Sequence, residues 1–375
     1  MILVIADDIS GAAELAGIAA SRGLRAEVHT QLDLESTADL IALDTNTRSQ
    51  SPAQAAATVT HIARQATALK PSWIYKKTDS ALRGNIQSEL NALAAQLGKT
   101  RVIFIPANPG KRRTIIDGEY FINDVPLHQT ALGSDPEYPI KTSNVERVLK
   151  AHARRASETE SSLTGSIDLN IPNVVAPEEL RRHAASISLA TIPAGAAEFF
   201  TAILETRTDS PGSTLNKMPD TPKPCLFLCG SLAAWEQGIA DIAHRNSVPI
   251  TTLGEVKDCA RQVCTQLKQS GVAMLATGPR QSGTPKAHER VLQEIIEVAD
   301  QVLRSMQVQT LCTEGGATTQ ELARTRGWSK FRSFSVPSLI GVGCLQPLHS
   351  GHAPMLMVKP GSYPWPKEIW EFGKA

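Results

Sequence analysis

A chain of 375 residues with 42% hydrophobic residues is long enough for two ordinary globular domains. Its 38 Lys and Arg nearly balance 37 Asp and Glu, leaving a formal charge of +1, which excludes recruitment to nucleic acid or an anionic membrane by bulk charge and makes any basic site local. No apolar run approaches the ~20 residues of a spanning helix, and residues 1–5 have no charged leader region, so a cytoplasmic protein is expected.

Residues 2–6 read as an uninterrupted apolar strand running into Asp7 and Asp8, after which Ser10 and Gly11 open a helix that Gly23 stops. The first strand-to-helix turn therefore presents two carboxylates. Strands at 26–29 and 40–44 follow, with Asp44 and Arg48 at the end of the second and just beyond it. Ser51 then caps a helix that Pro52 begins and that runs to Leu69.

A strand at 73–76 leads into Lys76-Lys77-Thr78-Asp79-Ser80-Ala81-Leu82-Arg83-Gly84-Asn85. The helix behind it, residues 86–97, aligns Ile86, Leu90, Leu93 and Leu97 on one face and ends at Gly98. Polar groups delivered where a strand hands over to a helix sit at the carboxyl edge of a sheet, where open α/β sheets bind ligands. The cations of this loop predict an anionic substrate, with Arg83 suited to grip a carboxylate bidentately and Asp79 to accept from a hydroxyl.

A strand at 102–106 precedes a basic, turn-rich loop, 107–113, which could close over an acidic ligand. Residues 119–122 and 125–127 flank Asn123-Asp124 like a small hairpin. A helix at 143–155 and a surface loop at 158–165 follow, and then helices at 177–185 and 196–204 bracket a strand at 189–193. The Pro-rich, polar stretch 206–224 is the expected linker between a domain of residues 1–205 and one of residues 225–375. Beyond it, strands at 226–229, 249–253, 272–277 and 310–313 alternate with helices reaching about 244, 256–269, 287–306 and 319–326. Repeated strand-helix alternation predicts an α/β fold with mostly parallel sheets in both halves.

Gly315-Gly316 between a strand and a helix, with Gly230-Ser231 at a second strand end, could bring backbone amides close to a phosphate. Residues 277–284 have P-loop glycine spacing but no following Lys-Ser/Thr, and no G-x-G-x-x-G follows any strand. The cysteines, Cys225, Cys229, Cys259, Cys264, Cys312 and Cys344, form no C-x-x-C pair, and His349 and His352 lack a third ligand. No metal-ligating residues are assigned.

Ala6-Asp7-Asp8-Ile9-Ser10-Gly11-Ala12 and the block from Lys76 to Asn85 resemble the two N-terminal motifs of the four-carbon acid sugar kinases. The resemblance continues through Arg112-Arg113-Thr114, Asp135-Pro136 and Pro193-Ala194-Gly195 to Gly230-Ser231, Gly315-Gly316 with Thr318, and Lys359-Pro360-Gly361. It implies a sugar-acid-binding domain and a nucleotide-binding domain facing each other across a central cleft. The implied activity is ATP-dependent phosphorylation of the terminal hydroxyl of threonate, erythronate or 3-oxo-tetronate, with Mg²⁺ bridging the nucleotide phosphates. Asp7, Asp8, Lys77, Asp79, Ser80 and Arg83 would then contact the acid; Ser231, Gly315, Gly316, Ala317, Thr318 and Gly361 would line the nucleotide site.

Phosphoryl transfer requires in-line positioning, charge neutralisation and a proton acceptor. Arg83 is assigned to the substrate carboxylate and Lys77 to developing charge. Asp8 or Asp79 would orient and deprotonate the hydroxyl, Asp8 being preferred because it begins a helix. The expected partners are the sugar acid and ATP, with a homodimer as the candidate assembly and neither nucleic acid nor membrane. Ala317 stands where the family usually has an acid, and Pro364 removes a backbone donor from the C-terminal glycine loop. These departures suggest a second reading, a weakened homologue that binds acid without transfer. A third, an NAD-dependent oxidoreductase, lacks the glycine fingerprint.

Overall fold

Apolar runs closed off by turns become strands covered on both faces, the usual fate of such runs in parallel sheets. The computed structural model describes residues 1–134, 138–154, 167–207, 223–230, 235, 238–279, 285–335, 341–348, 351–361 and 365–370. In chain order the first half runs β1 (Ile2–Ala6), α1 (Ile9–Ser21), β2 (Ala26–His29), β3 (Leu40–Asp44), α2 (Pro52–Ala66), β4 (Trp73–Lys77), α3 (Ile86–Leu97) and β5 (Arg101–Ile105). It continues with β6 (Arg113–Ile116), β7 (Glu119–Ile122), β8 (Val125–Pro126), α4 (Val145–Arg154), β9 (Asp168–Asn170), α5 (Pro177–Ala185), β10 (Thr191–Gly195) and α6 (Ala197–Arg207). The second half contains β11 (Cys225–Cys229), α7 (Ile239–Arg245), β12 (Ile250–Thr252), α8 (Val256–Ser270), β13 (Val272–Ala276), α9 (Pro285–Ser305), β14 (Thr310–Glu314), α10 (Gly316–Arg326), β15 (Lys330–Phe334), β16 (Gly343–Pro347) and β17 (Met355–Lys359).

The chain forms two units, Met1–Leu15 with Thr30–Pro211, and Ala16–His29 with Gly212–Ala375. In the first, the strand order β3-β1-β4-β10-β5-β9 is parallel throughout. A separate three-stranded antiparallel sheet, β6-β7-β8, follows β5. In the second unit, β12-β13-β11-β14-β17 are parallel, and β16, β15 and β2 continue the sheet in antiparallel pairs. The chain is thus α/β and mostly parallel. Among the described residues, no helix is long and apolar enough to cross a membrane.

Several boundaries differ from the sequence reading for identifiable reasons. The strand expected at 189–193 forms at Thr191–Gly195, because Leu189 stays 82% exposed while Ile192 and Ala194 are buried. Gly195 has φ +140, and a Cβ there would stand 2.0 Å from the carbonyl oxygen of Ile105, so only glycine lets β10 approach β5. The hairpin expected at 119–127 gains a third strand, β6, through the turn at Asp117-Gly118. Helix α10 begins at Gly316 rather than 319, directly after the strand.

Candidate active site

The parallel register aligns three strand ends. Ala6 pairs with Asp44 on one side and Lys77 on the other, so Asp7 and Asp8, Asp44, and the loop after Lys77 emerge side by side at the carboxyl edge of the first unit's sheet. Asp8 starts α1: its carboxylate accepts from Ser10 Oγ at 2.5 Å and from the Gly11 amide at 2.8 Å. Arg48 spans both aspartates, donating from Nε to Asp7 and from Nη1 to Asp8, each at 2.7 Å. Gly11 keeps this corner open, since a Cβ there would lie 3.0 Å from Asp8 Oδ1 and 3.3 Å from Lys77 Nζ.

The loop itself is pinned at several points. Arg83 donates to Asp79 from its backbone amide at 3.2 Å, from Nε at 2.6 Å and from Nη2 at 3.1 Å. Arg113 Nη1 donates to Ser80 Oγ at 2.5 Å, and the Tyr120 hydroxyl donates to the Ser80 carbonyl at 2.7 Å. Asn85 donates to the carbonyls of Thr47 and Gln50, joining the loop to the segment that carries Arg48. Gly84, at φ +88, lies against that segment, where a Cβ would meet Arg48 Cγ at 3.2 Å.

The two adjacent lysines divide between faces, as strand alternation requires. Lys77 approaches Glu14 at 3.5 Å, and Lys111 reaches the other oxygen of Glu14 at 3.2 Å. Lys76 instead forms an ion pair of 2.5 Å with Glu89 of α3, with side chains 0% and 1% exposed.

Burial alone would raise every carboxyl here, so the neighbouring cations decide which stay charged. For Asp79, burial is outweighed by Arg83 and Arg48, which hold its carboxyl well below the usual range. For Asp8 it is outweighed by Arg48, Ser10, Lys77 and the Gly11 amide. Glu14 is likewise lowered, by Lys111 and Lys77 against burial. Asp44 behaves oppositely: burial pushes it up to about 8, and Asp8 and Asp7 add to the rise against the Asn46 amide. One oxygen of Asp44 and one of Asp7 are buried without a hydrogen-bond partner.

Asp7, Asp8, Lys77, Asp79, Ser80 and Arg83, all expected at the acid site, are therefore brought together. Arg83 differs in one respect: its fork already grips Asp79. Sequence reasoning placed Asp44 and Arg48 at a strand end without giving them a role. It gave no role to Glu14 or Tyr120 and named Arg113 only within a basic loop and the resembling stretch Arg112-Arg113-Thr114.

In the second unit, Gly315 at φ +89 joins β14 to α10, and its amide donates to the Lys359 carbonyl at 2.8 Å. A Cβ on Gly230 would stand 2.5 Å from Thr318 Oγ1, and one on Gly361 would stand 3.9 Å from the Gly315 Cα. Gly230, Gly315, Gly316, Thr318 and Gly361 are thus close neighbours, whereas Ala317 is exposed on the first turn of α10. Ser231 and Pro364 lie outside the described residues. A cradle that side chains would fill, beside an uncapped helix N-terminus, suits a nucleotide phosphate. Among the described residues, no group of three or more His, Cys, Asp or Glu could hold a metal ion.

Residues 2–207 match the family described as "Sugar-binding N-terminal domain". D-erythronate kinase of Heliobacterium modesticaldum is 28% identical over 161 residues, 41% of this chain and 37% of that protein. D-threonate kinase of Salmonella typhimurium is 31% identical over 150 residues, 39% and 36% of the two chains. 3-Oxo-tetronate kinase of Brucella melitensis is 33% identical over 176 residues, 43% and 38%. The matched stretches thus span less than two fifths of these relatives' length. Two solved structures share the fold over nearly the whole chain: one from Haemophilus influenzae, with a TM-score of 0.70, 19% identity and 99% coverage of both chains, and one from Salmonella typhimurium LT2, with a TM-score of 0.75, 17% identity and coverage of 100% of this chain and 97% of the other. By the match over residues 2–207 and the kinases to which it is similar, the chain belongs to the four-carbon acid sugar kinase family.

Proposed function

We propose that this chain is an ATP-dependent kinase that phosphorylates the terminal hydroxyl of a four-carbon sugar acid, threonate, erythronate or 3-oxo-tetronate. The first unit would bind the acid and the second the nucleotide. The observation that carries this reading is the row at one sheet edge, in which buried Asp8, Lys77, Asp79 and Ser80 converge with half-buried Arg83 and Arg48.

In this reading Arg83 receives the substrate carboxylate on the outer side of a guanidinium whose inner side is fixed by Asp79. Asp8, oriented by Ser10, Gly11 and Arg48, holds the terminal hydroxyl. Its depressed basicity is compatible with the reaction, because a loose transfer transition state needs the proton only late. Lys77 offsets charge developing at the acceptor oxygen. Mg²⁺, bound with the nucleotide, supplies charge neutralisation between the phosphates. The glycine turns at 230, 315, 316 and 361 and Thr318 would hold those phosphates. A cytoplasmic location is supported by six free cysteines, as a reducing compartment would keep them.

ADP release measured with each acid, wild type against Arg83→Ala, tests the assignment. Turnover with at least one acid, lost in the variant, is expected; unchanged turnover would remove Arg83 from the site. The exposed Ala317 favours one second reading, a homologue that binds acid without transfer. Calorimetry showing acid binding without nucleotide binding would select it.

A further inference from the structure

The carboxyl ends of β11, β14 and β17 carry a charged row beneath the glycine turns. Cys229 pairs in register with Glu314, and Glu314 with Lys359, so the three side chains leave the same face of the sheet side by side. Lys359 Nζ lies 3.2 Å from Glu314 Oε1, and both side chains are 3% exposed. It also donates to the Pro360 carbonyl at 3.3 Å and stands 5.4 Å from the centre of the Trp365 ring. The second oxygen of Glu314, Oε2, is buried without a hydrogen-bond partner.

A buried ion pair contributes little net stability, because desolvation offsets the attraction between the charges. A carboxylate left with no further donor than the weak Cys229 thiol beside it adds a further cost. Such an arrangement at a sheet edge therefore calls for a role beyond packing. Its position supplies one. Gly230 follows Cys229, Gly315 follows Glu314, and Gly361 lies two residues beyond Lys359, so the row is the floor of the turns that the second unit presents. Glu314 also places a carboxylate on the strand side of the double glycine, where Ala317 places none on the helix side.

We propose that Lys359 is the cation that receives the phosphate oxygens of a nucleoside di- or triphosphate, and that Glu314 is a positioning residue holding it at the turn edge. This rests on the reading of the second unit as the nucleotide half and adds the charge that the glycines cannot supply. The Pro360 carbonyl is neutral and its contact is long, so exchanging it for a phosphate oxygen replaces a weak hydrogen bond with a charge-assisted one. The Glu314 contact persists through that exchange and limits where Nζ can go.

The test is calorimetric titration of the full chain with MgADP and MgATP. Lys359→Met alone would leave Glu314 buried without a counter-charge, so the decisive variant is Glu314→Gln/Lys359→Met, which removes both charges together. It is expected to melt near wild type, to keep its affinity for the sugar acid, and to bind nucleotide at least about tenfold more weakly. Glu314→Gln alone should raise the KM for ATP severalfold with little change in kcat, and Glu314→Asp should recover part of the loss, a pattern that a merely structural glutamate would not produce. A double variant that binds nucleotide like wild type, or that no longer folds, would show the pair to be structural and overturn the proposal while leaving the nucleotide reading intact. Wild-type protein that binds neither nucleotide would overturn both.

Discussion

Arg83 donates through Nε and Nη2 to both carboxylate oxygens of Asp79, at 2.6 and 3.1 Å. The side chain best suited to grip a substrate carboxylate is thus already oriented by one belonging to the protein. Such a fork is held rigid before any ligand arrives, which lowers the ordering cost of binding.

Arg83→Met should therefore act on both binding and stability. Sugar-acid affinity is expected to fall at least tenfold, and Asp79, left partly unpaired, should lower stability by about 1–3 kcal/mol. Arg83→Lys should recover little, because a point charge cannot reproduce the planar fork. Titration calorimetry and urea denaturation of the three proteins measure both effects; full recovery in the lysine variant would show that charge alone matters.

Asp44 predicts a pH dependence of stability. Its carboxyl is raised to about 8 in the folded chain, so between the ordinary carboxylate range and that value the folded state holds a proton that the unfolded state has released. Stability from this group is then present at low pH and lost as pH rises toward 8. Asp44→Asn, which cannot ionise, should remove that slope. Denaturation of both proteins at intervals across about pH 5 to 9 reads it directly, and an unchanged slope in the variant would assign the proton elsewhere.

The Lys76 and Glu89 pair, 2.5 Å apart and almost wholly buried, should behave as a structural unit. Lys76→Met alone is expected to cost about 3–5 kcal/mol because it strands the glutamate. Lys76→Met with Glu89→Leu should regain most of that stability. A double variant no better than the single would mean that the pair contributes net attraction.

Gly11→Ala tests how closely the acid corner is packed. The added methyl would sit 3.0 Å from Asp8 Oδ1 and 3.2 Å from Lys77 Cγ, so one of the two must shift. Acid affinity should fall severalfold with a melting temperature within a few degrees of wild type, because α1 itself favours alanine.

How much of this was legible beforehand followed the range of the interactions involved. The carboxylates after β1 and the block from Lys76 to Asn85 were readable because they are dense in polar groups at the ends of apolar runs, and strand ends feed ligand sites in parallel sheets. Arg48, Glu14, Arg113 and Tyr120 reach the site through pairings between segments far apart in the chain, which local patterns do not announce. The division of Lys76 from Lys77 follows strand alternation, yet choosing which lysine faces α3 required the register with β1. Strands β6 and β9 were missed because they are short, β15 because charged residues alternate along it, and β16 and β17 because they lie among Gly, Pro and His residues; neighbours in the sheet stabilise them more than their own pattern does. At the second site the double glycine was visible at once, but nothing local links Glu314 to Lys359, 45 residues further on, until the register of β14 with β17 brings them together.

The central claim is transfer of a phosphoryl group to a four-carbon acid, and phosphorus NMR of the reaction mixture tests it most directly. With protein, MgATP and the correct acid, the account predicts ADP together with a new phosphomonoester resonance coupled to the terminal methylene protons. Inorganic phosphate as the only new species, or ATP left unconsumed with every one of the three acids, would contradict it.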